Sequence, residues 1–490
     1  MTQIQQPSIK KNFIMNVLLT MSSILFPLIT FPYITRILLP AGTGRIGFAT
    51  SLISYFNIFA QLGIPTYGIR AVARVRDDRE QLTQVCQELL IINLAMTVLA
   101  YLALGLALAF VPRLASDRTL YIIISLSIVL NSIGMEWLFR GLEQYTYITV
   151  RSVFFKLIAL AAMFVLVHEE GDCLIYGGIS IFAASASNIL NFFYARKYIH
   201  FRPLKNYDFS RHIHPVLVFF AMSCATTIYT NLDTVMLGFM TSDIDVGYYQ
   251  AAVKIKGVMV SLVTSLGAVL LPRASYYIEH GEHEEFYRIA KRALHFVFFV
   301  AVPVTVYFIC FASYSIYTLS GTEFTGSIRA MQIIMPTVLL IGITNVTGIQ
   351  ILVPLGKENY VLYSEIAGAV TDLILNWIFI PKMQAAGAAL GTLVAEIAVL
   401  IVQFIAMRRE IKELVSGLPV LNILISIAGA LLCSVWVLSR TWGNVLSLLV
   451  SGVLFFAAYY AVMLARRDEM AVYLLRTVLG KLNRKKEQYE

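Results

Sequence analysis

Few residues in this chain are equipped for chemistry, and most of them sit where charge is costly. The stretch "LLPAGTGRIGFATS" (38–51) places Gly42, Gly44 and Gly47 in the G-x-G-x-x-G spacing that cradles a pyrophosphate when it joins a strand to a helix. His280 and His283 in "EHGEHEE" have a spacing compatible with metal ligation. Glu136, Asp233, Lys254, Lys256, Glu365, Asp372 and Glu396 lie inside apolar runs, with Lys156 near the start of one. Arg36, Arg140, Arg151 and Arg273 lie near the ends of others. A charge deep in a bilayer costs several kcal/mol, so such groups pair with one another or face water.

The elements that must position these residues are membrane helices. Of the 490 residues, 58% are hydrophobic and only 14% are charged, whereas a soluble domain carries about 25% charged residues. Apolar runs of bilayer length recur about 14 times, approximately at 12–35, 46–65, 87–111, 119–139, 150–167, 173–194, 214–239, 247–271, 292–312, 330–352, 360–380, 386–407, 419–438 and 444–465. The expected fold is therefore all-α and polytopic. The first run is too long for the apolar part of a cleaved signal peptide. With the N-terminus in the cytoplasm, loops on that side hold roughly 28 of the 38 Lys and Arg, against roughly 7 on the other side. This asymmetry implies an even number of spans with both termini cytoplasmic. It also accounts for the net charge of +9 without a nucleic-acid partner.

In that frame the glycine spacing follows a membrane helix, with no strand and no βαβ unit around it, so it reads as a tight turn between helices on the outer face. His280 and His283 fall in a charged cytoplasmic loop and read as solvated. His212 and His214 precede the seventh span and are expected at the interface. There is no Walker A sequence, no G-x-S-x-G and no nucleophile constellation, so neither an enzyme nor an ATP-driven pump is expected, and no cofactor. Transport would draw on an ion gradient or the membrane potential.

The outer turn recurs about 200 residues later: "RILLPAGTGRIGFATSL" parallels "VMLGFMTSDIDVGYYQAAV", and "LGIPTYGIR" parallels "LLPRASYYI". Six spans separate the copies, and an even offset preserves orientation. The chain thus divides into an N-terminal lobe (1–195), a basic linker (196–213), a C-terminal lobe (214–410) and an appendage of two spans with a basic tail (411–490). Polar residues follow the same division. Span one carries Asn16, Thr20, Ser23, Pro27 and Thr30, and span two Thr50, Ser54, Asn57 and Gln61. Span seven carries Ser223, Thr226, Thr230 and Asp233, and span eight Gln250, Lys254, Gly257, Ser261 and Ser265. Spacing by three and four puts each set on one face. Ser and Thr alone can be interhelical glue. Four equivalent stripes with charges among them point instead to a shared aqueous cavity. Lys254 lies on its stripe, and Lys256, two residues on, faces away from it. Glu365, Asp372 and Asn376 share a face that fits a proton or cation site and equally a structural partner for a lysine. Glu136, Asp233, Asp372 and Glu396 are the candidates for ion coupling.

Several stretches carry a family resemblance: "QLGIPTYGIRAVARVRDDREQL", "EWLFRGLEQYTYITVRSVFFKLIAL", "TNLDTVMLGFM", "VGYYQAAVKI", "LLPRASYYIE" and "LILNWIFIPKMQAAGAALGTLVAEI". From about residue 10 to about 410 the chain resembles the polysaccharide-transporter branch of the multidrug/oligosaccharidyl-lipid/polysaccharide (MOP) exporter superfamily, the Wzx-type flippases. The last two spans match only in hydropathy. The resemblance implies two pseudo-symmetric six-helix lobes around a central cavity lined by spans one, two, seven and eight. It implies an undecaprenyl-pyrophosphate-linked oligosaccharide moved across a bacterial cytoplasmic membrane by alternating access. Membrane lipids, and a polysaccharide polymerase and chain-length regulator, would be its partners. The matching cavity cations are Arg36, Arg70, Arg140, Lys254 and Arg273, and Asn57, Gln61 and Gln250 on the stripes would join them. The repeated outer turn would close a gate. A drug/cation antiporter or a lipid II flippase of the same superfamily is the alternative; a membrane glycosyltransferase or polymerase would need a longer outer loop than any here.

Overall fold

The structure, a computed structural model, describes residues 9–265, 267–408, 410–411, 414 and 416–476. Among these residues every regular element is a helix. In the first part of the chain they are α1 (Ile9–Gln61), α2 (Ile64–Val75), α3 (Arg79–Phe110), α4 (Arg118–Gly134), α5 (Glu136–Gly141), α6 (Tyr145–Leu166), α7 (Cys173–Ile181), α8 (Asn188–Ala195) and α9 (Ser210–Met240). There follow α10 (Asp243–Thr264), α11 (Gly267–Glu279), α12 (His283–Cys310), α13 (Ala312–Ser320), α14 (Ser327–Ile334), α15 (Thr337–Thr344), α16 (Glu358–Met383), α17 (Ala385–Ala406), α18 (Val420–Ser434) and α19 (Asn444–Ala465). Among the described residues eleven helical segments are long and apolar enough to cross a membrane, and the first, Lys11–Val75, holds two of the expected spans. The shorter α4 and the charge-bearing α10 account for the remaining two, so each expected span has a helix.

Helix breaks fall where local chemistry places them. Leu39 adopts φ 56° immediately before Pro40 and kinks α1 between its two spans, because a proline ring pushes the preceding residue out of the α region. The outer turn is thus a sharp break at Leu39 between two helices that follow one another directly, rather than a loop. Met135, at φ 43°, separates α4 from α5. The division expected at Pro381 lies three residues later: α16 runs through Pro381 and ends at Gln384, φ 48°. Pro381 sits in the last turn, where it leaves the Trp377 carbonyl without its i+4 donor, and the helix ends within three residues.

The helices form two compact units that meet in sequence at Gly247–Tyr248. In the first, α1 packs against α3, α4, α6 and α9, and α2 against α5. Its core joins Leu82, Leu89, Trp137, Leu138, Phe139 and Tyr198. In the second, α16 pairs with α17, and α18 and α19 pair around Tyr307, Phe311, Phe455 and Tyr459. On α3 the exposed residues Val98, Leu102, Leu106 and Phe110 (79% exposed) recur every fourth position, a face that only a bilayer would cover.

Candidate functional site

The polar stripes lie open. Asn16, Thr20 and Ser23 on α1, Thr226 and Thr230 on α9, and Lys254, Gly257 and Ser261 on α10 are all exposed. Their hydroxyls are satisfied within their own helices. Thr20 donates to the Asn16 carbonyl (2.9 Å), Thr230 to that of Thr226 (2.9 Å) and Ser261 to that of Gly257 (2.9 Å). A hydroxyl that bonds back to the preceding turn does not need a partner helix, so Thr20, Thr230 and Ser261 are not held as interhelical glue. Gln61 donates to Asn57 (3.3 Å), and both are half-buried. Gln250 is half-buried one turn before Lys254.

The αL break at Met135 turns α5 so that Glu136 meets two guanidiniums. Arg140 donates to Glu136 Oε1 through Nε (2.9 Å) and Nη2 (2.7 Å), and Arg151 Nη2 reaches Oε2 at 3.2 Å. Arg151 also holds the Ser187 carbonyl and Asn188 Oδ1 and lies over the Tyr147 ring. Further along α6, Lys156 Nζ donates to Ser22 Oγ (3.0 Å) and Ser23 Oγ (2.8 Å) of the α1 stripe. The first unit thus contains an intramembrane cluster with more cations than anions, but each of these three cations is engaged.

Other cations differ. Arg70, Lys254 and Arg273 are exposed, and among the described residues none has a hydrogen-bond or ion-pair partner. Arg36 is exposed and donates to the Pro32 carbonyl. Of the candidate acids, Asp233, Asp372 and Glu396 are buried, at 6%, 3% and 3% exposure. Asp372 shares the buried side of α16 with Ser364 and Asn376, whereas Glu365, expected on that face, is exposed. Gly391 of α17 faces this pair; a methyl there would strike the Asn376 carboxamide and crowd Asp372 Oδ1.

Two polar clusters mark opposite ends of the first unit. At one end Arg45 pairs with Asp117 and Arg113 with Asp243, and Arg113 also bonds the Gly238 carbonyl (3.1 Å). Between them the two copies of the repeated turn cross: a Cβ on Gly44 would overlap the Asp243 carbonyl, and one on Gly247 the Pro40 carbonyl. Only glycine permits that approach. At the other end Glu88, fully buried, accepts from Arg211, His212 (2.8 Å) and the Asp208 backbone N–H (2.7 Å). His212 in turn meets the Tyr67 hydroxyl (2.8 Å). His212 is therefore core, not interfacial as expected, because a fully buried carboxylate needs it as a partner. The reading of the sequence did not single out Glu88, although a carboxylate at the start of an apolar run, with Arg211-His212 upstream of another, is the signal that marks it. His280 stacks on Tyr276 in an exposed position.

Polar, partly cationic faces on membrane-spanning helices define a multi-pass membrane transporter. A family model described as polysaccharide biosynthesis protein matches residues 9–278, and a MatE model matches residues 219–378. The chain belongs to the polysaccharide biosynthesis protein family, within the MOP superfamily. Two relatives share the name "Putative O-antigen transporter": one of Escherichia coli (strain K12) is 23% identical over 391 residues, covering 79% of this chain and 94% of the relative. The other, of Shigella dysenteriae, is 26% identical over 402 residues, covering 80% and 98%. Among solved structures, the lipid II flippase MurJ in an inward closed conformation matches at TM-score 0.73 and 15% identity, covering 94% of this chain and all of that one. An inward-facing multidrug resistance MATE family transporter matches at TM-score 0.57, also at 15% identity, covering 80% and 99%.

Proposed function

We propose that the chain is a flippase that moves an undecaprenyl-pyrophosphate-linked oligosaccharide from the inner to the outer leaflet of a bacterial cytoplasmic membrane, by alternating access, for surface polysaccharide assembly. Both termini lie in the cytoplasm, as the basic loops favour. The functional halves are 1–195 and 214–410, joined by 196–213, with 411–490 appended. A polymerase and a chain-length regulator act on the delivered substrate.

The observation that carries this reading is Lys254: an exposed ammonium, without a partner among the described residues, on a helix face whose neighbours Gly257 and Ser261 are also exposed. A cation left unpaired on a spanning helix needs water or an anionic ligand. A pyrophosphate with its sugars cannot cross hydrocarbon, whereas its polyprenyl tail belongs there. Lys254, Arg70 and Arg273 would hold the pyrophosphate through charge-assisted hydrogen bonds, Arg36 and Arg140 would join them on releasing the Pro32 carbonyl and Glu136, and Asn57, Gln61 and Gln250 would receive sugar hydroxyls. Asp233, Asp372 and Glu396 are the groups for ion coupling. Glu136 is bound to two arginines, and takes a proton in the cycle only if they release it.

In a strain lacking the chromosomal gene, Lys254→Ala combined with Arg273→Ala should abolish polysaccharide export while protein levels stay near normal. Full export by the double variant overturns the proposed path. Rescue of lipid II transport instead, or a gain only in drug resistance, would move the substrate to the corresponding branch of the superfamily. Asp233→Asn and Glu136→Gln test coupling: export that depends on a pH gradient as in the wild type, in both variants, removes these two carboxylates from the ion path.

A further inference from the structure

The second unit carries a basic recess that the translocation reading does not use. We infer that it is a binding site for the headgroup of an anionic glycerophospholipid at the membrane surface. The recess, about 280 Å³, is lined on one side by Arg288, Lys291, Arg292 and His295 of α12. These positions are spaced by three, one and three, so they form one face over two turns. The opposite side is the bend before α18, at Gly417 and Leu418, and the segment after α19, with Glu469, Met470 and Tyr473, so one carboxylate stands against the three α12 cations.

Asp468 fixes this geometry. It is buried, accepts from the backbone N–H groups of Met470 (3.0 Å) and Ala471 (3.2 Å), and meets His295 Nε2 at 3.1 Å. One carboxylate thus starts the helical segment after α19 and ties it to α12. It leaves Arg288 and Arg292 of α12 facing the recess, while Lys291 beside them has a further partner. Arg292 is exposed and has no ion-pair or hydrogen-bond partner among the described residues. Among the described residues Arg288 pairs only with half-buried Glu285 on its own helix.

Position selects a lipid over a free anion. The recess lies where the apolar parts of α12 and α18 begin and where α19 ends, which is the edge of the hydrocarbon layer. Immediately along α18, Val420, Leu421 (66% exposed) and Leu424 are exposed, as is Tyr473 of the recess lining. A phosphate held by α12 would therefore have its acyl chains against an apolar helix face and a tyrosine at headgroup level. On the basic-loop orientation this end is cytoplasmic, where anionic lipids meet basic recesses between spanning helices. The inference does not rest on what the chain transports.

The test is native mass spectrometry of the full-length protein titrated with phosphatidylglycerol, phosphatidylcholine or inorganic phosphate. The wild type should retain phosphatidylglycerol preferentially. Arg292→Gln should weaken that retention about fivefold, and Arg288→Gln/Lys291→Gln/Arg292→Gln roughly a hundredfold, with Arg292→Lys restoring it. Arg440→Gln, at the other end of α18, should change nothing. Undiminished preference in the triple variant, an equal loss in Arg440→Gln, or inorganic phosphate displacing phosphatidylglycerol at millimolar concentration would each overturn the proposal. Should the triple variant not fold, Arg292→Gln alone decides, since that side chain is exposed and bonds nothing among the described residues.

Discussion

Arg151 and Lys254 are both cations on membrane-spanning helices, and they are held in opposite ways. Arg151 is 6% exposed and bonded to Glu136, Ser187 and Asn188. Lys254 is exposed and bonds nothing among the described residues. A charge whose hydrogen bonds are consumed by the protein is part of the architecture; one left open is available to a ligand. Substitution should separate them cleanly. Arg151→Ala leaves Glu136 with only Arg140 and should cost about 3–5 kcal/mol of stability, read as a lower melting temperature of the purified protein. Lys254→Ala should leave stability within about 0.5 kcal/mol and remove export. Replacing the pair together, Glu136→Gln with Arg151→Met, should recover part of the lost stability, because a buried ion pair is often matched by neutral groups of similar size. If Lys254→Ala melts as early as Arg151→Ala, the two cations do the same job and the distinction fails.

The glycines permit a parallel contrast. Gly44 and Gly247 sit where the two copies of the repeated turn cross, with backbone carbonyls filling the space of a side chain. Gly257 has nothing within 4 Å of a built Cβ. Gly44→Val should therefore destabilise by about 1–3 kcal/mol or more, as overpacking does. Gly257→Ala should stabilise α10 by about 0.5–1 kcal/mol through helix propensity alone. Thermal unfolding in detergent distinguishes the two outcomes, and a neutral Gly44→Val would remove the crossing as a tight contact.

What was legible in the sequence follows from how the information is written. The spans and the stripes were readable because hydropathy and helical period are local properties: Thr226 and Thr230 announce one face of α9, and Lys254 and Ser261 one face of α10, by their spacing alone. The turn at Pro40 was read correctly as helix-to-helix because its context lacked a strand. What did not show were partners from distant segments. Glu88 and His212 are 124 positions apart, and no periodicity links them, so a buried lock was read as an interface. Glu365 was placed with Asp372 by spacing, but only contact with α17 decides which residues of α16 are covered.

That lock gives a prediction of intermediate size. Glu88 accepts from Arg211, His212 and the Asp208 backbone, so its charge organises the start of α9. Glu88→Gln keeps the shape and some acceptor capacity but loses the charge that Arg211 and His212 face. The expected cost is about 1–3 kcal/mol, smaller than for Arg151→Ala. Limited proteolysis of the 196–213 linker should accelerate with it. An unchanged cleavage rate would mean that Gln87, which bonds the carbonyls of His200 and Arg202, holds the linker without Glu88.

The smallest effect lies next to the lock, at Asp208, whose side chain is fully solvent-exposed while its backbone docks on Glu88. Its carboxylate accepts from the Ser210 hydroxyl (2.5 Å), and this bond, helped by the N–H groups of Arg211 and Ser210 and by the Arg211 charge, holds its pKa below the ordinary 3.8. A carboxylate with a depressed folded-state pKa stabilises the fold above its unfolded value, and that contribution disappears as pH falls through the lower, folded one. The protection of the first turn of α9 should therefore differ between the wild type and Asp208→Asn at neutral pH and converge as the pH falls through the lowered, folded-state pKa. Hydrogen exchange of amides 210–213, compared between the two proteins at each pH, measures it. Because the group is exposed, added salt should shrink the charge-dependent part of the difference. A difference that persists unchanged at the lowest pH would mean that Asn fails for its geometry and not for its missing charge.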